Sequence, residues 1–200
     1  MKKGEKTREH IIQKAAELFN QRGYAGSSMN DIIAQTGIQK GGIYRHFDSK
    51  DDIAFAAYDY AAGVVGRRFA EEVAKETSAA GKLLAHFRVY ADAAHNPPFI
   101  GGCPLQNTAV ESDDTHQLLR EKAQAGLAIS LDGITAIILS GIESGEFRPD
   151  LNAEALASFT LSLLEGGIML SRLEGSNRHM ETNTAAFVAY LEQSCLRRDT

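Results

Sequence analysis

The 200-residue chain is predicted to be all-α. An N-terminal three-helix unit with a helix-turn-helix leads, through a continuous helix, into a C-terminal helical bundle, about nine helices in all. Three observations predict this. Apolar residues recur at three- and four-residue spacing in nearly every segment, and none shows the alternation of a half-buried strand. Glycine, proline and capping residues fall between those segments. The stretch SMNDIIAQTGIQKGGIYRHFDSK, Ser28 to Lys50, has the form of two short helices around a tight turn, followed by the capped start of another helix.

The first helix is expected from about Thr7 to Arg22, with Ile11, Ile12, Ala15, Leu18 and Phe19 on one face and Gly23 ending it. Ser27 or Ser28 caps the second helix, and Asp31 suits the positive end of its dipole. Gly37 supplies the positive φ of the turn; Ile38, Ile43 and Phe47 point inward. Ser49 caps the fourth helix, with Asp52 three residues on as a short capping box. That helix meets no breaker before about Lys75, so movement of the body would be carried into the head. A fifth helix is expected from Ser78 to His95, stopped by Asn96-Pro97-Pro98. PLQNTAVES forms a short helix opened by Pro104, and a long helix runs from about Thr115 to Ser144. Asn152 caps a helix to about Leu173, and the last helix covers about Met180 to Arg197. The functional division falls near residue 50: residues 1–50 as the head, 51–200 as the body.

Composition is that of a globular protein, with 44% hydrophobic and 24% charged residues. No apolar run is expected to reach the roughly 18 residues that cross a bilayer, and the Lys-rich start lacks an apolar h-region. Neither secretion nor membrane insertion is expected. Cys103 and Cys195 make no disulfide framework, in keeping with a reducing cytoplasm. The net charge of −5 is unevenly spread: residues 1–50 carry 9 Lys/Arg against 5 Asp/Glu, and residues 51–200 carry 12 against 21. A basic head on an acidic body suits contact with phosphate.

Gln39, Lys40, Tyr44, Arg45 and His46 stand between the apolar positions of the third helix, a set suited to phosphates and base edges and ill suited to a core. A helix presented this way after a tight turn enters the major groove, so double-stranded DNA is the expected partner. Gln39 and Arg45 are candidates for bidentate contact with adenine and guanine. Gly41 and Gly42 allow close backbone approach, and Ser28 offers a hydroxyl or N–H to phosphate. Lys40 and Lys50, at helix starts, are placed for phosphate.

From Ile11 to Ile53 the chain resembles the DNA-binding domain of the TetR family of bacterial regulators. The resemblance rests on Phe-x-x-x-Gly-Tyr, the Gly-Ile turn, Lys-Gly, Ile-Tyr-x-His-Phe and Ser-Lys-Asp-Asp, in that order. It implies phosphate contacts from Lys40, Tyr44, His46 and Lys50; relatives carrying Thr, Ser or Ala at the position of Gly42 have a side chain this one lacks. It also implies a homodimer on a palindromic operator and a body that binds an effector and dimerises. The last two helices are the expected dimer surface: Ala157, Thr160, Leu161, Leu164 and Ile168, with Gly166 and Gly167, facing Phe187, Tyr190, Leu191 and Cys195. From the chain alone the same stripe serves equally as internal core. Tyr58, Phe69, Phe87, Tyr90, Phe99 and Phe159 are candidate effector-lining residues, with plain core as the alternative for each.

Cys103 lies in Gly-Cys-Pro-Leu-x-Asn-x-Ala-x-Glu, which resembles a TetR branch that includes sensors of electrophiles and oxidants. A sensor thiol or a small buried hydrophobe are both open for it. The expected function is a ligand-responsive regulator, most simply a repressor released by a small molecule or by modification of Cys103; an activator of the same fold is the alternative. An enzyme using Cys103 is disfavoured, because no triad order, phosphate loop or metal motif accompanies it. His86, His95, Cys103 and His116 match no zinc spacing, and no metal or cofactor is expected.

Overall fold

The computed structural model describes residues 3–197. Its helices are α1 (Lys3–Arg22), α2 (Met29–Thr36), α3 (Lys40–Ile43), α4 (Lys50–Val73), α5 (Ala79–Val89), α6 (Pro104–Ser112), α7 (Gln117–Glu143), α8 (Ala153–Glu174) and α9 (Arg178–Tyr190). A π-turn, Leu191–Cys195, ends the described chain's helical structure. Among the described residues there is no strand, only an isolated bridge between Phe147 and Leu196. The chain is therefore all-α.

Packing divides it into two compact units, Met1–Val65 with Phe99–Gln124, and Gly66–Pro98 with Ala125–Thr200. In the first unit, Ile11, Ala15 and Leu18 of α1 are buried together with Ile32, Ile43, Phe47 and Ile53. Ser49 and Asp52 cap the start of α4 reciprocally: Asp52 accepts the Ser49 N–H at 3.0 Å and donates its own N–H to the Ser49 hydroxyl at 3.1 Å.

In the second unit α5, α8 and α9 close around Phe87 and Phe187, whose rings stack with centroids 4.9 Å apart. Glu146 caps α5 from outside it, accepting the Ala79 and Ala80 N–H groups at 2.6 and 2.8 Å. Helix α5 ends at Val89, not at His95, because the next residues find tertiary partners. The Asn177 side chain accepts the Ala94 N–H at 2.9 Å and donates to Asp92 at 2.6 Å, drawing residues 90–95 into turns.

Two expectations are corrected here. Ala157, Thr160, Leu161, Leu164 and Ile168 are buried within the chain itself, so that stripe of α8 is core and not a dimer surface. Gly167 explains the tight fit, since a Cβ there would lie 2.7 Å from Met180 Sδ on α9. Gly166, with nothing near its absent side chain, lies on the other side of the helix. The outward face of α8 and α9 carries a different apolar set: Phe159, Met169, Leu170, Leu173 and Tyr190. Second, α7 and α8 are each long and apolar enough, by length and composition alone, to cross a membrane. That overturns the expected lack of such a run. In α8 the buried stripe takes up Leu156, Ala157, Leu161, Leu164 and Ile168, and two such helices do not indicate a membrane protein.

Candidate nucleic-acid interface

The turn between α2 and α3 is built by three local devices. The Ser28 hydroxyl accepts the Asp31 N–H at 3.2 Å while Asp31 accepts the Ser28 N–H at 2.7 Å, closing a capping box at the start of α2. Gly37, at φ 70°, ends α2 and donates its N–H to Ile33 at 2.9 Å. Thr36, buried, donates its hydroxyl to the Ile32 carbonyl at 2.8 Å and accepts the Ile38 N–H at 3.2 Å, steering the chain out of the turn. His10 of α1 ties to the Thr36 carbonyl at 3.0 Å, fixing the turn to the unit's core.

Helix α3 is one turn long, shorter than the reading helix expected. Gly41 and Gly42 are poor helix formers, and beyond Ile43 the backbone continues as turns, with the His46 N–H bonded three residues back to Ile43. Ile43 and Phe47 are buried, which turns the intervening side chains outward. Gln39, Lys40, Gly41, Tyr44 and Arg45 are exposed, as is Ser28; Gly42 and His46 are half-buried. A Cβ at Gly42 would lie 2.7 Å from Ile38 Cγ2, so this glycine permits the close packing of the turn. Gly41 has open space around it. Because α3 is so short, charge and not helix dipole is what Lys40 offers to a phosphate. Arg8 of α1 stacks over the Phe47 ring at 4.9 Å and adds a cation beside the same segment.

Lys50 is placed differently from expectation. Its ammonium donates to the Tyr24 carbonyl at 2.6 Å and lies 3.8 Å from the Tyr24 ring centroid. Burial pushes its pKa below the ordinary lysine value, against the opposing pull of Glu111, Asp51 and Asp31. The side chain thus serves the fold, leaving the start of α4 only its backbone to offer.

The residues missed by sequence reasoning lie on α6. Glu111 accepts the N–H groups of Tyr24 and Ala25, both at 2.8 Å, on the segment that leads into α2. One turn earlier, Asn107 Nδ2 donates to the Asn20 carbonyl and to the Gly101 carbonyl, both at 3.0 Å. Asn20 in turn donates to the Ile100 carbonyl at 2.7 Å. The four-residue spacing of Asn107 and Glu111 was a usable signal for one shared helix face, but not for what that face meets. The Tyr24 hydroxyl also donates to Asp51, which lies 3.5 Å from the His116 ring nitrogen.

Residues 11–57 match the family described as bacterial regulatory proteins, tetR family, and residues 79–187 match the Tetracyclin repressor-like C-terminal domain. The chain belongs to the TetR family. A TetR transcriptional regulator from Chloroflexus aurantiacus J-10-FL is 41% identical, with 99% of this chain and 100% of that one covered and a TM-score of 0.95. A TetR-family regulator from Cytophaga hutchinsonii is 33% identical, with 99% of each chain covered and a TM-score of 0.93. The HTH-type transcriptional repressor DhaR of Mycobacterium sp. (strain GP1) is 25% identical over 183 residues, 87% of this chain and 86% of that protein. The protein is a DNA-binding transcriptional regulator and not an enzyme.

Within this TetR-family chain, the effector candidates have different surroundings. Phe87 is locked against Phe187 and Tyr90 is fully buried beside Phe69, their centroids 6.0 Å apart. Phe99 packs edge-on against Tyr60 at 6.2 Å. Phe159 is 42% exposed and touches Tyr190, centroids 5.1 Å apart, on the outer face. It is displaced from the interior position expected. Cys103 is the N-cap of α6, with Gly101 and Gly102 at φ 93° and 97° ahead of it, and is only 5% exposed. Tyr58 alone of the seven lines a cavity of about 40 Å³ together with α1 and α6 residues. Among the described residues no three His, Cys, Asp or Glu side chains converge on a metal position.

Proposed function

We propose that the protein is a homodimeric, effector-responsive repressor that binds a palindromic operator through the segment from Ser28 to His46. The observation that carries this is the outward row Gln39, Lys40, Tyr44 and Arg45, held on a one-turn helix and the turns after it, where Ile43 and Phe47 are buried. Lys40, Tyr44, His46 and Ser28 bond phosphates and set register, while Gln39 and Arg45 read base edges. The exposed Gly41 lets the backbone come close. Helix α4, unbroken from Lys50 to Val73, transmits a change in the body to the reading segment. Repression is favoured over activation by the likeness to DhaR, a named repressor.

The dimer surface proposed is the outward face of α8 and α9, with Phe159, Met169, Leu170, Leu173 and Tyr190. An isologous contact there gives the twofold symmetry that a palindrome requires. A small-molecule effector is favoured over modification of Cys103, because a buried thiol lacks the access that reactivity needs.

Operator fragments selected from random DNA by the purified protein provide the test. Lys40→Ala and Tyr44→Ala should weaken binding to every sequence, and Lys40→Ala should lower the salt slope by about 1. Unchanged binding in both variants, with helical content intact, would remove these residues from the interface.

A further inference from the structure

Helix α1 begins at Lys3, a full turn before the Thr7 start that the sequence suggests, so Lys3 and Lys6 stand on the helix itself. Both are exposed. With His10 they fall at i, i+3 and i+7, one row along the helix. His10 reaches the Thr36 carbonyl at 3.0 Å, which sets this row beside the turn that precedes α3. The neighbouring row meets the other end of the reading segment. Arg8 lies over the Phe47 ring at 4.9 Å, and a Cβ on Gly4 would be 3.8 Å from His46 Cε1. The first turns of α1 therefore border residues 36–47 at both ends.

The cations of residues 3–50 sort into two groups. Lys14 pairs with Glu17 at 2.8 Å, Arg22 with Asp31 at 3.8 Å, and Lys50 is taken up by Tyr24. Lys3, Lys6, Arg8, Lys40 and Arg45 have no carboxylate within ion-pair distance among the described residues. All five lie on the reading segment or on the turns of α1 that border it. In a chain of net charge −5, such a gathering of unneutralised cations favours an external polyanion.

We propose that the first turn of α1 is a second DNA-contacting element, in which Lys3 and Lys6 bind duplex phosphates alongside those met by Lys40 and Tyr44. It rests on the operator-reading role proposed for the segment from Ser28 to His46, and extends that role to a part of the chain outside the helix-turn-helix. Lysine meets a phosphate as a point charge on a flexible stem and lacks the planar fork that reads a guanine edge. Contacts of this kind hold every sequence equally and set affinity, not choice of site.

The test compares the full chain with the double variant Lys3→Ala/Lys6→Ala, on a selected operator and on an unrelated duplex, over about 50 to 200 mM salt. The salt slope should fall by about 2. Binding to both duplexes should weaken by the same factor, roughly 60-fold at about 0.1 M salt, taking about 0.9 of slope per contact relative to 1 M. Thermal unfolding should match the parent, since both side chains are exposed. Lys3→Arg/Lys6→Arg keeps the charges and should keep the slope. Lys14→Ala removes a like charge from the same helix, about 12 Å or more along the axis and so beyond the screening length of about 10 Å, and should leave the slope unchanged. Lys40→Ala separates the two assignments. A slope lowered by Lys40→Ala but untouched by the double variant would overturn the α1 contact and leave the reading segment in place. A slope untouched by either would overturn both, and a loss confined to the selected operator would show that the lysines are not phosphate contacts.

Discussion

Lys50 donates its ammonium to the Tyr24 carbonyl at 2.6 Å and rests on the face of the Tyr24 ring, 3.8 Å from its centroid. One side chain at the start of α4 thereby holds the segment between α1 and α2. Lys50→Met keeps the aliphatic stem and removes the charge. A loss of about 1–2 kcal/mol in unfolding free energy is expected, from one charge-assisted hydrogen bond and a cation–π contact. The salt slope of DNA binding should stay the same. Urea titration and binding at several salt concentrations separate this from the behaviour of Lys40→Ala.

Glu111 satisfies two backbone donors ahead of α2. Glu111→Ala should cost about 1–3 kcal/mol by exposing or orphaning both. Amide exchange at Tyr24 and Ala25 should accelerate before any change appears in α8. Unchanged exchange at these two amides would show that the carboxylate is not what holds the segment.

The Tyr24–Asp51 hydrogen bond carries a pH signature on two sides. The bond from Tyr24, helped by His116 and Lys50, holds the Asp51 carboxyl below the usual carboxylate range despite some burial. A depressed folded-state pKa gives stability that is full above the unfolded value, near 4, and is lost as pH falls through the folded value. Tyr24 is raised to about 12 by burial and by Asp51. Its contribution is full below pH of about 10 and is lost as pH rises toward 12. Tyr24→Phe should therefore be less stable than the parent at pH 7, and the gap should narrow at both acid and alkaline extremes. Denaturation curves across pH measure the gap directly.

The two faces of α8 should respond oppositely. Leu173 is 83% exposed, so Leu173→Glu should leave thermal unfolding of the chain nearly unchanged while splitting the proposed dimer in sedimentation velocity. Leu164→Ala, in the buried stripe, should cost about 3 kcal/mol through the cavity it opens. A monomer obtained from Leu164→Ala and a dimer retained by Leu173→Glu would reverse the assignment of the faces.

Local signals were legible in the chain because their causes are local. Gly37, and Ser49 with Asp52, each act within four residues and stand where the spacing placed them; of the two caps left open for α2, Ser27 and Ser28, it is Ser28 that pairs with Asp31. The one-turn length of α3 was not among them: its paired glycines were read as room for close backbone approach, and the apolar pattern suggested more helix. What failed was long-range. Periodicity identified the stripe Ala157, Thr160, Leu161, Leu164 and Ile168 as buried, yet could not tell cover by the chain's own α9 from cover by a second subunit. Lys50 looked like a phosphate ligand because Tyr24 lies 26 residues away. Asn107 and Glu111 face partners more than 80 residues distant, a pairing that no window of sequence contains.

A reading element of a single turn has little reach. If Gln39 and Arg45 read base edges as proposed, only a handful of base pairs come under them in one half of the operator, too few to single out an address in a genome. In the dimer proposed above, recognition is assembled from two copies at a fixed distance and from how readily the intervening duplex bends. Lengthening or shortening the spacer by a few base pairs would harm binding more than most substitutions within either half.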